Sequence, residues 1–195
     1  MRDLVITQNI TVDGVVEATD DWFTNAGSDP EADEVLAQQR DESDGFLVGR
    51  DTFVGMRDYW GPKTDDTTGV TAHLNRVAKY VVSSTITDPR WTNSEVLAGD
   101  LRHGVEDIKA RSGGDIVCTG SISLCHSLIA LGLVDEFRLF VYPFVHGRGR
   151  RLFDQAPPTP LALEEAVTFP SGIVMTRYRP QTIRPSAPST GATTG

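Results

Sequence analysis

Three times in this chain, three consecutive apolar residues close on a glycine or a short polar segment and give way to a helix start or a turn. The runs are Gly45-Phe-Leu-Val-Gly49, Lys79-Tyr-Val-Val-Ser83 and Asp115-Ile-Val-Cys118 leading to Gly120. A compact apolar run without polar alternation marks a strand buried on both faces. Such strands separated by helical sequence imply parallel strand–helix units. No other feature narrows the fold as far.

The remaining elements extend this pattern. Leu4 to Ile10 reads as a first strand, followed by the turn Thr11-Val-Asp-Gly14 and a loop from Trp22 to Asp29. Pro30 suits the first turn of a helix running to about Glu42, with Asp29 as N-cap and Glu31 and Asp33 at the positive dipole end. Arg50 to Met56 predicts a short helix, Asp58 to Gly69 a polar loop and Ser94 to Leu97 a fourth strand. Val105 and Ile108 mark a helix ending near Gly113-Gly114, and Ser121 to Ala130 another that stops at Gly132. Beyond Val134 the helical pattern does not return. A long strand from Phe137 to Val145 is followed by strands over Leu161–Thr168 and Ile173–Tyr178. Strand–helix units followed by strands alone predict an α/β fold whose mixed sheet is mostly parallel, with antiparallel strands added late. One domain over 1–180 is expected. Residues 181–195, rich in Pro, Ser, Thr and Gly, bury too little apolar surface to order and are expected to be a disordered tail.

Charge and composition exclude several classes of function. A formal net charge of −9 opposes the nucleic-acid backbone, and Arg148, Arg150 and Arg151 form too short a basic block to reverse it. Two cysteines and four scattered histidines match no zinc spacing, so no metal is expected. The N-terminal apolar run is too short for a signal peptide and no stretch approaches a membrane span, which leaves the cytoplasm as the expected address.

The carboxyl ends of the three apolar runs are the candidate phosphate sites. Gly49 before a helix start exposes unpaired amides, and Arg50 adds a two-pronged donor; the plain alternative is a strand-to-helix turn with a surface arginine. Ser83 and Ser84 offer hydroxyls, although serines after strands are commonly turn residues. Thr119-Gly-Ser121 leads a strand through one glycine into a helix, where backbone amides meet pyrophosphates in open α/β sheets. The three-glycine dinucleotide fingerprint is absent, which argues against a standard Rossmann domain.

In order and spacing these segments resemble the dihydrofolate reductase superfamily, most closely the branch of the C-terminal reductase domain of the bifunctional riboflavin-biosynthesis deaminase/reductase. The resemblance spans roughly residues 3–180. It rests on Thr11-Val-Asp-Gly14, Gly49-Arg-Asp-Thr52, Tyr80-Val-Val-Ser-Ser84, Gly113-Gly-Asp-Ile-Val-Cys-Thr-Gly-Ser121, Gly132-Leu-Val-Asp-Glu-Phe-Arg-Leu139 and Gly147-Arg-Gly-Arg-Arg-Leu-Phe153. It implies a dihydrofolate-reductase-like sheet of about eight strands flanked by helices, binding NADPH across the carboxyl ends of its parallel strands. Gly49, Arg50 and Thr52 match the segment that meets the cofactor phosphates. Ser83 and Ser84 match its 2′-phosphate contacts, and Gly120, Ser121 and Ile122 match the pyrophosphate turn. In dihydrofolate reductases that turn is a Gly-Gly pair, often cis; Ser121 replaces the second glycine here and leaves the cis bond open.

The implied activity is an NADPH-dependent reduction of a small heterocycle, as in the 5-amino-6-(5-phosphoribosylamino)uracil reductase domain. A true dihydrofolate reductase, or a nucleotide-binding relative without turnover, are the alternatives. Neither His-x-Glu nor Pro-Cys-x-x-Cys occurs in these 195 residues, so they carry no zinc deaminase signature. Asp33 stands where the superfamily places its substrate-binding carboxylate, and Asp13 is a second candidate acid; the bland readings are a dipole-stabilised helix residue and a turn aspartate. Trp22 and Phe23 either wall the pocket or cap the core edge. The loop Gly147–Arg151 is either a sugar-phosphate contact or a surface hairpin. The resemblance also implies a homodimer through the C-terminal strands, with Phe137, Leu139, Val141 and Phe144 as compatible apolar residues.

Overall fold

The computed structural model describes residues 1–20, 22–23 and 29–182. Among these the elements run β1 (Leu4–Thr11), α1 (Pro30–Glu42), β2 (Ser43–Gly49), α2 (Arg50–Trp60), α3 (Val70–Arg76), β3 (Ala78–Val82), β4 (Ser94–Leu97), α4 (Leu101–Ala110), β5 (Asp115–Cys118), α5 (Ile122–Ala130), β6 (Glu136–Tyr142), β7 (Leu161–Thr168) and β8 (Val174–Pro180). Beyond Thr182 the expected tail lies outside the described residues, as does most of the Trp22–Asp29 loop.

The eight strands form one sheet in the order β4-β3-β2-β5-β1-β6-β8-β7. From β4 to β6 every neighbouring pair is parallel, while β8 and β7 join antiparallel, as the sequence pattern predicts. The chain starts in the middle, moves out to the β4 edge, returns to insert β5 between β2 and β1, then crosses to β6. Right-handed crossovers place the helices of the outward and return legs on opposite faces. Accordingly Val105 and Ile108 of α4 and Leu124 and Leu128 of α5 pack on Leu4, Ile6, Leu47 and Ile116. The other face carries two separate clusters. Trp22, Ala32, Phe140, Tyr142 and Met175 gather beside α1, and Phe46, Val48, Phe53, Leu74 and Val81 beneath α2 and α3.

Local chemistry explains the element ends. The Asp29 carboxylate accepts from the amides of Glu31 and Ala32 at 3.1 and 3.2 Å, capping α1, and from the Ser171 amide at 3.0 Å, which ties the helix to the β7–β8 turn. Helix α2 runs one turn past Met56, to Trp60, and takes in the start of the expected loop. Helix α3 is an element the apolar pattern does not predict; Gly69 is its N-cap, and Asp66 accepts from the Thr71 amide in its first turn at 2.8 Å and from the Thr68 amide before it at 2.9 Å. Strand β6 stops at Tyr142 rather than Val145, because Pro143 has no N–H for the ladder and Phe144 and Val145 turn out to solvent. Phe137 and Leu139 are core residues in a strand paired on both sides.

A charge cluster crosses the three C-terminal strands. Glu136 on β6 is fully buried and accepts from Arg138 at 2.5 Å, Arg177 at 2.9 Å and Arg179 at 3.1 Å. Burial pushes its carboxyl up, and the arginines more than offset this, so its pKa lies below the ordinary value. Among the described residues no helix is long and apolar enough to cross a membrane.

Candidate functional site

The carboxyl ends of β2, β3 and β4 and the start of α5 surround a cleft of about 460 Å³. Gly49 and Arg50, Ser83 and Ser84, and Ser121 all line it. Three stretches far apart in sequence are thus brought together at one end of the sheet.

Helices α2 and α5 both begin here, with Gly49 and Ser121 at their N-caps; Gly49 has no side chain to cap with, and the Ser121 hydroxyl makes no bond to its helix. Their first-turn amides and dipoles therefore offer a positive, donor-rich edge to an anion. Glycine at position 49 answers a steric demand: a Cβ there would lie 2.1 Å from Ser121 Oγ and 3.3 Å from Ser121 Cβ. The Gly120–Ser121 peptide is cis, with Gly120 at φ +153°. Serine at position 121 is thus compatible with the cis bond.

The other expected contacts divide. Arg50 is exposed at the rim, its Nε 2.8 Å from Asp51 Oδ1 and its guanidinium 3.5 Å from Thr85 Oγ1. Ser83 Oγ accepts from the Thr85 and Ile86 amides at 3.1 and 3.0 Å, so its acceptor capacity closes the turn, while Ser84 is exposed. Thr52, Gly120 and Ile122 lie outside the lining. Thr52 Oγ1 sits 3.4 Å from where a Cβ on Gly120 would be, and Ile122 packs against the core.

On the opposite face, in the gap between the two apolar clusters, is a second cavity of about 570 Å³. Leu36, Phe46, Met56 and Val117 give it apolar walls, and Asp33, Gln39, Arg40, His73 and Thr119 supply polar groups. Thr119 lines this cavity and Ser121, two residues on, lines the cleft, so both open from the end of β5. Asp33 is exposed at its edge, and the Tyr142 phenol is pushed up by burial and by the Asp33 charge. His73 is buried, and burial together with the Arg76 and Arg40 charges holds its pKa down at about 4. Sequence reasoning overlooked His73 and Tyr142, whose roles come from packing that no local motif signals.

Asp13 lies outside both the cleft and the cavity and ties the first turn to the loop after β6. Its carboxylate accepts from Thr11 Oγ1 at 2.7 Å and from the His146 and Gly147 amides at 3.0 and 2.9 Å, which hold its pKa far below the carboxylate range. The basic loop is likewise internally paired: Arg148 with Asp20 at 2.6 Å, Arg150 with Glu17 at 2.8 Å and Arg151 with Asp13 at 3.3 Å. Trp22 belongs to the core, its indole donating to Glu17 O at 2.8 Å, and Phe23 packs against the same cluster.

Comparison with known proteins agrees with this architecture. A family model described as RibD C-terminal domain matches residues 2–175. The chain belongs to that family. As a RibD C-terminal domain protein it is 32% identical over 190 residues to the uncharacterized protein YyaP of Bacillus subtilis, covering 91% of this chain and 94% of the relative. Among solved structures, a putative riboflavin biosynthesis protein from Shewanella sp. PV-4 superposes with a TM-score of 0.74 at 16% identity, over 92% of this chain and 99% of that one. A pyrimidine reductase-like protein from Corynebacterium diphtheriae gives 0.66 at 17% identity, over 93% and 92%. At such identities the structural likeness is one of fold. Membership of the RibD C-terminal family points to a reductase-like enzyme.

Proposed function

We propose that the chain is an NADPH-dependent reductase of a small heterocyclic compound. The observation that carries this reading is the meeting of two helix N-termini, Arg50 and Ser84 in one cleft, beside a cavity that opens from the same end of β5. The amides of α2 and α5 would hold the pyrophosphate, and Ser84 and Arg50 the 2′-phosphate. A bound nicotinamide nucleotide supplies the hydride. This chain's own residues hold the ring in the cavity, and Asp33 relays a proton to it from water, the Tyr142 phenol lying close enough to feel its charge. A dihydrofolate reductase mechanism calls for a buried carboxylate against the ring, and Asp33 is exposed.

The test is a fluorescence titration with NADPH and NADH, followed by loss of nicotinamide absorbance with a heterocycle panel. Saturable NADPH binding and turnover support the reading. Binding without turnover on any ring leaves a nucleotide-binding protein, and the absence of binding at millimolar NADPH refutes both. The reading also includes a homodimer across the C-terminal strands, where β7 is the sheet edge and Leu161 and Leu163 are exposed. Light scattering that gives a monomeric mass refutes that part alone.

A further inference from the structure

We infer that the cavity between α1 and α3 takes a neutral, N–H-bearing ring compound that carries no phosphate. This rests on the reductase reading for its choice of cavity and departs from the phosphoribosylated substrate that the riboflavin resemblance suggests.

A phosphate dianion leaving water needs several aimed donors, usually an Arg fork, a Lys or a nest of backbone amides. Among the described residues that line the cavity, only Arg40 is cationic at neutral pH, since His73 is held neutral. Arg40 Nη1 donates to Thr68 O at 3.0 Å and fastens the loop before α3 to α1, while its Nε, 3.5 Å from Asp41 Oδ1, is buried without a hydrogen bond, so a single buried N–H is left for a ligand. Asp33, on the same helix and lining the same cavity, sets a negative charge against an anion. Net charge over the lining is therefore about zero, and the walls of Leu36, Phe46, Met56, Val70, Leu74 and Val117 are apolar.

The other cations that a sugar phosphate would use are already paired. Arg148, Arg150 and Arg151 are engaged by Asp20, Glu17 and Asp13, and none of the three lines the cavity. Arg50 faces the nucleotide cleft instead.

Beside the Arg40 Nε–H, what the cavity offers is chiefly acceptors. The Gln39 Oε1 atom is buried without a hydrogen-bond partner, the Asp33 carboxylate is at the edge, and Thr7 and Thr119 line the sheet side with hydroxyls that can accept or donate. Acceptors set in apolar walls select a flat ring that presents N–H donors, because a ring lacking them leaves these groups unpaired. A volume of about 570 Å³ accommodates one to three fused rings.

The experiment is calorimetric titration of the full chain with lumazine, lumichrome and uracil, set against FMN, UMP and ribose 5-phosphate, with NADPH titrated separately. At least one neutral ring is expected to bind about tenfold or more tightly than any phosphorylated compound, with no competition from ribose 5-phosphate. Leu36→Trp, which fills the cavity, is expected to abolish ring binding while NADPH binding persists; Val70→Phe does the same should Leu36→Trp fail to fold. The inference is overturned if FMN or UMP binds as tightly as its neutral partner, if ribose 5-phosphate competes, or if no neutral ring binds. Loss of NADPH binding with ring selectivity intact would instead count against the reductase reading alone.

Discussion

Protonation of His73 is expected to destabilise the fold in a defined pH window. The imidazole is 7% exposed, lies 3.5 Å from Ser43 Oγ and has Arg76 3.4 Å from its Nδ1. Burial first, then the Arg76 and Arg40 charges, lowers its pKa from 6.5 to about 4. The folded state therefore binds the proton more weakly than the unfolded chain. Stability from this residue is complete above about pH 6.5 and falls as the pH drops toward 4, a total of roughly 3 kcal/mol. At pH 5 the loss has reached about 2 kcal/mol. Urea unfolding of the wild type and of His73→Gln, at pH 7.5 and pH 5, isolates the effect from the carboxylates, which titrate in both proteins. The wild type should lose about 2 kcal/mol more than the variant between the two conditions. Equal losses would refute the reasoning and, with it, the neutral charge assigned to the cavity.

Two further perturbations probe the cleft and the sheet. Gly49→Ala should leave the fold within about 1 kcal/mol of wild type but weaken NADPH about tenfold, because the Ser121 hydroxyl must swing into the cleft. Adding Ser121→Gly removes both crowded atoms and should restore affinity; a double variant as weak as the single one contradicts the steric account. Glu136→Gln strands the buried Arg138 with Asp115 as its remaining partner at 2.7 Å, and should cost about 3 kcal/mol, seen as a lower Tm in thermal unfolding. An unchanged Tm would show that the arginines relax to solvent.

What the sequence makes legible here is what local chemistry decides. Asp29 and Pro30 announce α1 because cap and first turn are adjacent in the chain, and the apolar runs at Phe46, Tyr80 and Ile116 announce buried strands. The gathering of Gly49, Ser84 and Ser121 follows from strand ends falling on one side of a parallel sheet. Helix α3 escapes notice because its seven residues open with β-branched Val70 and Thr71, its N-cap Gly69 has no capping side chain, and the Thr71 amide is met by Asp66 five residues back. The contacts of Asp13 are hidden in the sequence because His146 and Gly147, whose amides it accepts from, are distant along the chain. His73 and Tyr142 are invisible for the same reason: burial and neighbouring charge, supplied by other elements, set their chemistry.

The proposed reductase activity requires the cleft at Gly49, Ser84 and Ser121 to be a nicotinamide nucleotide site. Titrating NADPH and NADH into the wild type and into Arg50→Ala/Ser84→Ala reads this directly from nucleotide fluorescence. Submillimolar NADPH binding, weaker NADH binding, and a double variant that no longer separates the two are expected. Fluorescence unchanged at millimolar NADPH, or a preference for NADPH that survives loss of both side chains, would contradict this assignment.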